Sequence, residues 1–240
     1  MLQACLNGDR HRSFHAAIPC APEELAKDAA RAVAAGAAEL HVHPRGADDL
    51  QSLAPGDVAA CLAAIRGSLP GIPVGISTLW SIPPTGRERQ NHIRQWTTLP
   101  DYVSVNLIED DAPEVIRLVQ SMGVGVEAGI WSVTDAERFL TLPEAGKSLR
   151  ILVEINEQDA GEGMTVADGI IRVLGEANLK CPILLHGCDA TMWPIYHETL
   201  ARGLDGRIGL EDGAHLPSGA LARDNADLLA AAVRMSKKPL

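Results

Sequence analysis

Aromatic residues are scarce in this chain: they make up 3% of its 240 residues, although 46% of the residues are hydrophobic. A core of this composition must be built from Ala, Val, Leu and Ile. The length suits one large domain or two small ones. Alanine-rich helices packed around an aliphatic sheet are one arrangement that meets both conditions.

Positive charge is also in short supply, because 21 Lys and Arg face 31 Asp and Glu, for a net charge of -10. Phosphate binding needs clustered Lys and Arg, so this balance disfavours nucleic acids and anionic membrane surfaces as partners. No apolar run is long enough to span a bilayer, and the N-terminus lacks the apolar core of a signal peptide. We therefore expect a soluble protein with neither kind of partner.

The five cysteines are odd in number and form no CxxC pair. A disulfide framework is therefore not expected, and the pattern favours a reducing compartment such as the cytoplasm. The sequence also lacks a GxSxG elbow, a P-loop and a cysteine with an obvious histidine partner. Nucleophilic acyl-enzyme chemistry is therefore not indicated.

Short apolar runs alternate with longer amphipathic runs along the whole chain. The apolar runs predict eight strands: Leu2–Leu6, Glu39–His43, Pro73–Ser77, Tyr102–Val105, Gly125–Ala128, Arg150–Glu154, Ile183–His186 and Gly206–Leu210. The amphipathic runs predict eight helices: Pro22–Ala35, Pro55–Arg66, Arg87–Thr97, Ala112–Met122, Thr134–Leu142, Thr165–Ala177, Thr191–Arg202 and Ala220–Met235.

Eight strand–helix units of about thirty residues each predict a closed barrel, since parallel strands need helical crossovers. The fold expected is therefore an α/β (β/α)₈ TIM barrel, in a single domain over residues 1–240. The alternative is an open, doubly wound sheet with extra units, and the count of eight favours the barrel. No linker or low-complexity segment indicates a domain boundary.

The C-terminal end of the second predicted strand carries the strongest chemical pattern, His41-Val42-His43-Pro44-Arg45. Residues two apart on a strand point to the same face, so the two imidazoles project together. They lie at the C-terminal end of the strand, where active sites of barrels are built. Two such imidazoles can chelate a divalent metal, although the same pattern also suits two hydrogen-bonded histidines in a polar rim.

The eighth predicted strand ends in Arg207-Ile208-Gly209-Leu210-Glu211-Asp212-Gly213. Two adjacent carboxylates are costly to bury unless a cation compensates them, and a metal together with Arg207 would do so. The other interpretation is a strand that runs into an acidic surface turn. Neighbours on a regular strand face opposite ways, so both carboxylates can serve one site only if the chain leaves strand geometry, which Gly213 makes plausible.

Together the two segments supply two histidines and one carboxylate, a ligand set that leaves open positions on the metal. This set is typical of catalytic zinc, and it also matches the facial triad of non-heme iron. The other strand ends add polar residues, which are Asn7, Asp9, Arg10, Ser77, Thr78, Ser104, Asn106, Glu127, Glu154, Asn156 and His186. His186 could be a third histidine ligand, a proton shuttle or a hydrogen-bonded rim histidine, and we favour the last.

Several motifs occur in the same order as in a known family. They are Asn7-Gly8-x-Arg10, a helix led by Pro-Glu-Glu, Ala-Gly-Ala, His-x-His-x-Arg, Ser77-Thr78, Gly86–Arg89, Arg207–Asp212 and Leu221–Ala226. From Gln3 to about Val233 the chain resembles the β-keto acid cleavage enzymes, which include 3-keto-5-aminohexanoate cleavage enzyme. At the seventh strand end it departs from the family, because His186-Gly187-Cys188 replaces a glycine-rich turn.

The resemblance implies a (β/α)₈ barrel that holds one zinc ion through His41, His43 and Glu211. It implies a reaction in which a β-keto acid and acetyl-CoA, the cosubstrate, give acetoacetate and a new acyl-CoA. Asp212 matches the acid/base carboxylate, Arg207 the substrate-orienting arginine and Ser77 a hydrogen-bonding serine near the metal. The expected substrate-binding residues are Arg10, Thr78, Ser104 and Glu127. A homotetramer is the assembly that the resemblance suggests.

Two other functions compete with this one. The same ligand set could serve an aldolase, a hydrolase or an iron-dependent oxygenase, and restoration of activity by iron with oxygen consumption would favour the last. A catalytically decayed barrel that binds a metabolite or a partner is the third possibility. It predicts that His41→Ala leaves the biological effect of the protein intact.

Overall fold

Eight parallel strands close into a barrel in the computed structural model, which describes residues 1–237. The strands are β1 (Leu2–Cys5), β2 (Glu39–Val42), β3 (Val74–Ser77), β4 (Tyr102–Asn106), β5 (Gly125–Ile130), β6 (Arg150–Ile155), β7 (Ile183–Gly187) and β8 (Asp205–Ile208). Each strand pairs with the next in the chain, and β8 pairs with β1. The predicted TIM barrel is therefore confirmed, and residues 238–240 of the expected domain lie outside the described part.

One helix follows each strand and covers the outside of the barrel. The helices are α1 (Pro22–Ala35), α2 (Pro55–Ser68), α3 (Gly86–Arg94), α4 (Ala112–Ser121), α5 (Val133–Leu140), α6 (Ala160–Glu176), α7 (Met192–Ala201) and α8 (Asn225–Ser236). Single 3₁₀ turns precede β6 and α7. None of the helices formed by residues 1–237 combines the length and the apolar character that crossing a membrane requires.

Side-chain caps explain the two largest differences from the predicted helices. Helix α6 begins at Ala160 rather than Thr165, because the Asp159 carboxylate accepts hydrogen bonds from the backbone N–H groups of Gly161 and Glu162. Helix α8 begins at Asn225 rather than Ala220, because Asp224 caps it in the same way. The other predicted boundaries agree with the observed ones to within three residues, and those of α1 coincide with them.

Successive residues of each strand face alternately the surrounding helices and the barrel interior, so the protein has two cores. Aliphatic side chains such as Leu40, Val103 and Ile151 face the helices and are buried there. The barrel interior is polar near the N-terminal ends of the strands, where Gln3, Glu39, Tyr102, Glu127 and Arg150 form one hydrogen-bonded and ion-paired layer. The open C-terminal end of the interior is thus left for the candidate site.

Candidate active site at the C-terminal mouth of the barrel

Three side chains from two distant segments meet at the mouth. His41 Nε2 lies 3.3 Å from His43 Nε2, while Glu211 Oε1 lies 3.4 Å from His43 Nε2 and 3.9 Å from His41 Nε2. Among residues 1–237, these three form the one group of at least three His, Cys, Asp or Glu side chains spaced to hold a metal ion.

The spacing of these donor atoms fits a divalent metal. A tetrahedral ion with bonds of about 2.0–2.2 Å holds its ligand atoms about 3.3–3.6 Å apart. The two distances from His43 Nε2 lie in this range, and the distance between His41 Nε2 and Glu211 Oε1, at 3.9 Å, is somewhat longer. Burial lowers the pKa of His41 well below its usual value, so this imidazole is neutral, as a ligand must be. Burial alone would raise the pKa of Glu211, but Arg207, His43 and His41 outweigh it and lower that pKa well below its usual value.

The second nitrogen of each histidine faces an acceptor. His43 Nδ1 lies 2.5 Å from Gln51 Oε1, an arrangement in which Nδ1 donates and Nε2 stays free for a metal. His41 Nδ1 lies 4.0 Å from Glu127 Oε2, and both of these buried atoms lack a hydrogen-bond partner. Burial raises the pKa of Glu127 to about 7. The donor set and its supporting atoms therefore both fit a metal ion.

The loop after β1 holds the two halves of the metal site together. The Asn7 side chain accepts from His43 N and donates to His43 O, each at 2.9 Å. Arg45 Nη2 donates to the carbonyl oxygens of Gly8, at 2.5 Å, and Arg10, at 3.1 Å. The Asn7-Gly8-x-Arg10 and His-x-His-x-Arg motifs are thus one structural unit.

Gly8 lies against the side chain of Glu211 and has a φ of +54°. A Cβ added there would meet Glu211 Cγ at 2.4 Å, so both the backbone conformation and the space demand glycine. The ligand position of Glu211 therefore depends on a residue that carries no side chain.

Gly8→Ala is expected to weaken zinc binding as well as stability. The matched control is Gly203→Ala, since Gly203 has a φ of +65° but open space around its Cα. Each substitution puts alanine into the left-handed region, at a cost of about 1–2 kcal/mol. Thermal unfolding should show a loss of stability in both variants, whereas calorimetric titration with zinc should show a loss of affinity in Gly8→Ala alone. Equal zinc affinity in the two variants would contradict this account of Gly8.

Glu211 and Asp212 serve one site because the strand ends before them. Strand β8 stops at Ile208 rather than at Leu210, and the next residues form a turn in which the N–H groups of Asp212 and Gly213 donate to Gly209 O. The chain therefore leaves strand geometry at Gly209, before the carboxylates, and not at Gly213 as the sequence suggested. A Cβ at Gly209 would lie 1.8 Å from Cys5 O.

Arg207 joins the two carboxylates. Its Nη2 lies 2.5 Å from Glu211 Oε1 and 3.3 Å from Asp212 Oδ1, and its Nε is buried without a partner. The guanidinium therefore compensates the charge of Asp212, which is buried, and of Glu211, which is partly buried.

Asp212 lies beside the metal ligands and is almost completely buried. The Cys5 thiol donates to its Oδ2 at 2.8 Å, and burial raises the pKa of that thiol well above its usual value. Burial would also raise the pKa of Asp212, but Arg207 and His186 outweigh it and lower that pKa. Asp212 is therefore a carboxylate that can accept a proton.

A cavity of about 350 Å³ opens above these groups. Its lining includes the three candidate ligands, Arg207 and Asp212, and also the predicted residues Arg10, Ser77 and Ser104. Thr78 and Glu127 are not in the lining. The Thr78 hydroxyl donates to Ser104 O at 2.7 Å, and Glu127 lies below His41 in the polar layer.

Arg10 lines the cavity, and its guanidinium forms an ion pair with Asp189. Its Nη2 donates to both carboxylate oxygens of Asp189, at 2.9 and 2.8 Å, and its guanidinium lies over the Phe14 ring. Asp189, Gln51 and Cys5 are not among the residues that the sequence predicted for the site. Cys5 could have been found, because it stands opposite His41 in the register of the barrel. Gln51 lies in a loop and Asp189 in the 3₁₀ turn before α7. Neither segment has a periodicity that could have indicated these residues.

Comparisons with known proteins agree with this architecture. A family model described as "beta-keto acid cleavage enzyme" matches residues 1–239. No curated protein sequence matches the chain. Among solved structures, the apo structure of ObcA superposes with a TM-score of 0.70 at 17% identity, covering 90% of this chain and 61% of that one.

Two further structures extend the comparison. A ternary complex of ObcA with a C4-CoA adduct and oxalate has a TM-score of 0.71 at 16% identity, with 90% of this chain and 63% of that one covered. The 3-hexulose-6-phosphate synthase from Salmonella typhimurium has a TM-score of 0.61 at 16% identity, with coverages of 98% and 97%. These likenesses support the fold, and the present chain spans less than two thirds of the length of the ObcA chains.

Proposed function

This chain belongs to the family of beta-keto acid cleavage enzymes, and on that premise we propose that it cleaves a β-keto acid with the help of a CoA thioester. The observation that carries the proposal is the meeting of three candidate ligands, His41, His43 and Glu211, with Asp212 and Arg207 at one cavity. The substrates we propose are a β-keto acid and acetyl-CoA. The products are acetoacetate and a new acyl-CoA, which makes the enzyme an acyltransferase.

Zinc is the metal we propose for the three ligands, one ion per chain. When bound there, it supplies Lewis-acid chemistry that polarises a ketone oxygen and stabilises enolate charge. The fit rests on the donor spacing, on the neutral His41 and on the unpartnered buried oxygen of Glu211. The use of a CoA thioester is supported by the ternary complex of ObcA, which is a complex with a C4-CoA adduct and oxalate.

Asp212 is proposed to move the proton. Its carboxylate takes the proton from C2 of the β-keto acid, and the electron pair of that C–H bond forms the enolate. C2 then bonds to the acetyl carbonyl carbon, and CoA leaves as the thiolate. The thiolate adds to the original ketone carbon, the C2–C3 bond breaks, and its electron pair stays on C2. The proton returns from Asp212 to C2, which gives acetoacetate.

Arg207 and the serines are proposed to hold the substrate. Arg207 lines the cavity, and its guanidinium can donate to the substrate carboxylate because it matches the geometry of that anion. Ser77 and Ser104 line the cavity and can donate to substrate oxygens. Arg10 belongs to the lip of the cavity, where its pairing with Asp189 fixes its position. Thr78 and Glu127 support the site from outside the lining.

Location and assembly complete the proposal. We propose that the enzyme is cytoplasmic, because its cysteines are free. We also propose that it acts as one domain and that it forms a homotetramer, as the family resemblance suggests. Size-exclusion chromatography with light scattering tests the assembly, and a mass near that of one chain would contradict it.

The proposed reaction is tested with the purified chain, zinc, acetyl-CoA and a panel of β-keto acids with neutral, cationic and anionic side groups. Acetoacetate should form together with one acyl-CoA, in equal amounts and only when both substrates are present. The control omits the thioester, and it also measures spontaneous decarboxylation of the keto acids. A zinc-loaded protein that is inert on the entire panel, with acetyl-CoA and with other short acyl-CoAs, would overturn the proposal.

A further inference from the structure

His186, the last histidine of β7, lies between two carboxylates that come from different elements. Its Nδ1 is 3.4 Å from Asp212 Oδ1, in the turn after β8, and its Nε2 is 3.4 Å from Glu154 Oε2 on β6. Glu154 and His186 are also opposite each other in the strand register. The imidazole is 2% exposed, so these two carboxylates are its nearest charged surroundings together with Arg207.

The charge of His186 follows from these neighbours. Burial and the Arg207 guanidinium lower the pKa of His186, but Asp212 and Glu154 outweigh them and raise that pKa to about 9. At these distances neither nitrogen of His186 makes a hydrogen bond. The contacts to Asp212 and Glu154 are therefore ion pairs, which favour the imidazolium form of His186.

The bridge ends on the carboxylate that is proposed to move the proton. Asp212 is fixed on its other oxygen by the Cys5 thiol, and Arg207 approaches the same oxygen as His186 does. His186, Glu154 and Asp212 all line the cavity. No other imidazole lines this cavity in the described chain except the two candidate ligands, His41 and His43.

We propose that His186 is a positioning residue for Asp212, and that it acts as an imidazolium bridge between Asp212 and Glu154. The inference rests on the proposed function. The bridge holds Asp212 Oδ1 from one side, while the Cys5 thiol holds Oδ2, so the carboxylate is fixed in one orientation. Glu154 in turn holds the imidazole, much as a third group orients the base in a catalytic triad.

Two variants test the bridge. His186→Gln keeps a hydrogen-bond donor but loses the charge, and it should lower kcat about 10–100-fold while changing KM little. Glu154→Gln should lower kcat at pH 7 less than His186→Gln does, because the imidazole keeps its contact with Asp212. The matched control is Glu162→Gln, on the exposed face of α6, which should behave as the wild type does.

The pH profile separates positioning from a merely structural role. Wild-type kcat should fall as the pH rises through about 9, where His186 loses its proton. Glu154→Gln removes one of the two anions that raise the pKa of His186, so the same fall should occur at a lower pH. His186→Gln should lack this fall. Thermal unfolding of each variant shows whether it is folded.

A readout without turnover tests the bridge itself. In ¹⁵N NMR spectra of the metal-free protein at pH 7, the signals of His186 are those that disappear in His186→Gln. Their chemical shifts should be those of an imidazolium. A neutral signal would overturn the inference, and so would unchanged kcat in folded His186→Gln. A wild type that is inert on every β-keto acid would instead overturn the proposed function, while the NMR signal would still decide whether the bridge exists.

Discussion

Asp212→Asn is expected to lower kcat by about 10²–10⁴-fold, the usual cost of losing a general acid or base, while zinc binding stays intact. The Asp212 carboxylate contacts Cys5, Arg207 and His186 rather than the candidate ligand atoms, so the metal group is complete without it. Asparagine preserves the volume of this buried side chain but cannot take the C2 proton. Steady-state kinetics together with metal analysis of the purified variant measure both parts of the prediction.

The matched control is Asp205→Asn at the other end of β8. Asp205 pairs with the N-terminal ammonium at 2.6 Å, on the side of the barrel away from the cavity. This variant should keep the kcat of the wild type. If Asp212→Asn retained wild-type kcat with zinc bound, Asp212 would not be the proton-transferring group.

The second large effect is expected in zinc binding. His43→Ala and Glu211→Gln should each reduce the metal content from about one zinc per chain to near zero after dialysis, and should abolish acetoacetate formation. Loss of a residue that only supports a ligand costs about 10–100-fold in affinity, and loss of a ligand should cost more. Glutamine at position 211 keeps the size of the side chain but offers the metal a neutral oxygen.

Thermal stability provides an independent measurement of the same loss. At a zinc concentration of about 100 times Kd, binding to the native state stabilises it by about 2.7 kcal/mol, which raises Tm. The two ligand variants should show no such increase. His197→Ala, on the exposed surface of α7, should respond to zinc as the wild type does. A zinc-dependent increase in Tm that survives in both ligand variants would show that the metal binds elsewhere.

The parts of the site that lie on strands could be predicted from the sequence. His41 and His43 share a face because strand residues alternate, and eight repeated units place the end of β2 and the end of β8 at the same mouth. The distances between His41, His43 and Glu211 agree with that expectation. The identity of the metal and the roles of the surrounding residues stay predictions.

The parts that lie on loops could not be predicted. Gln51 reaches His43 from a loop, and Asp189 reaches Arg10 from the turn after β7. No repeat in the sequence fixes the direction of a loop side chain, so neither contact follows from the pattern of residues.

Two other features could not be predicted from the sequence: the depth of a side chain within the barrel and the direction of the turn after β8. Glu127 is a predicted pocket residue, but its strand position puts it one layer lower, beside His41 and Arg150. The residue pattern favours a hydrogen-bonded rim histidine at His186. Glu154 is its partner in the strand register, but Asp212 approaches it from the turn after β8, and no repeat in the sequence fixes the direction of that turn.

The most direct test of the account is anomalous diffraction at the zinc absorption edge, from crystals of the wild-type protein grown with one equivalent of zinc. The account predicts a single strong peak per chain, within about 2.0–2.2 Å of one nitrogen each of His41 and His43 and one oxygen of Glu211. A fully zinc-loaded protein whose peak lies elsewhere, with these three side chains contacting only one another or water, would contradict it.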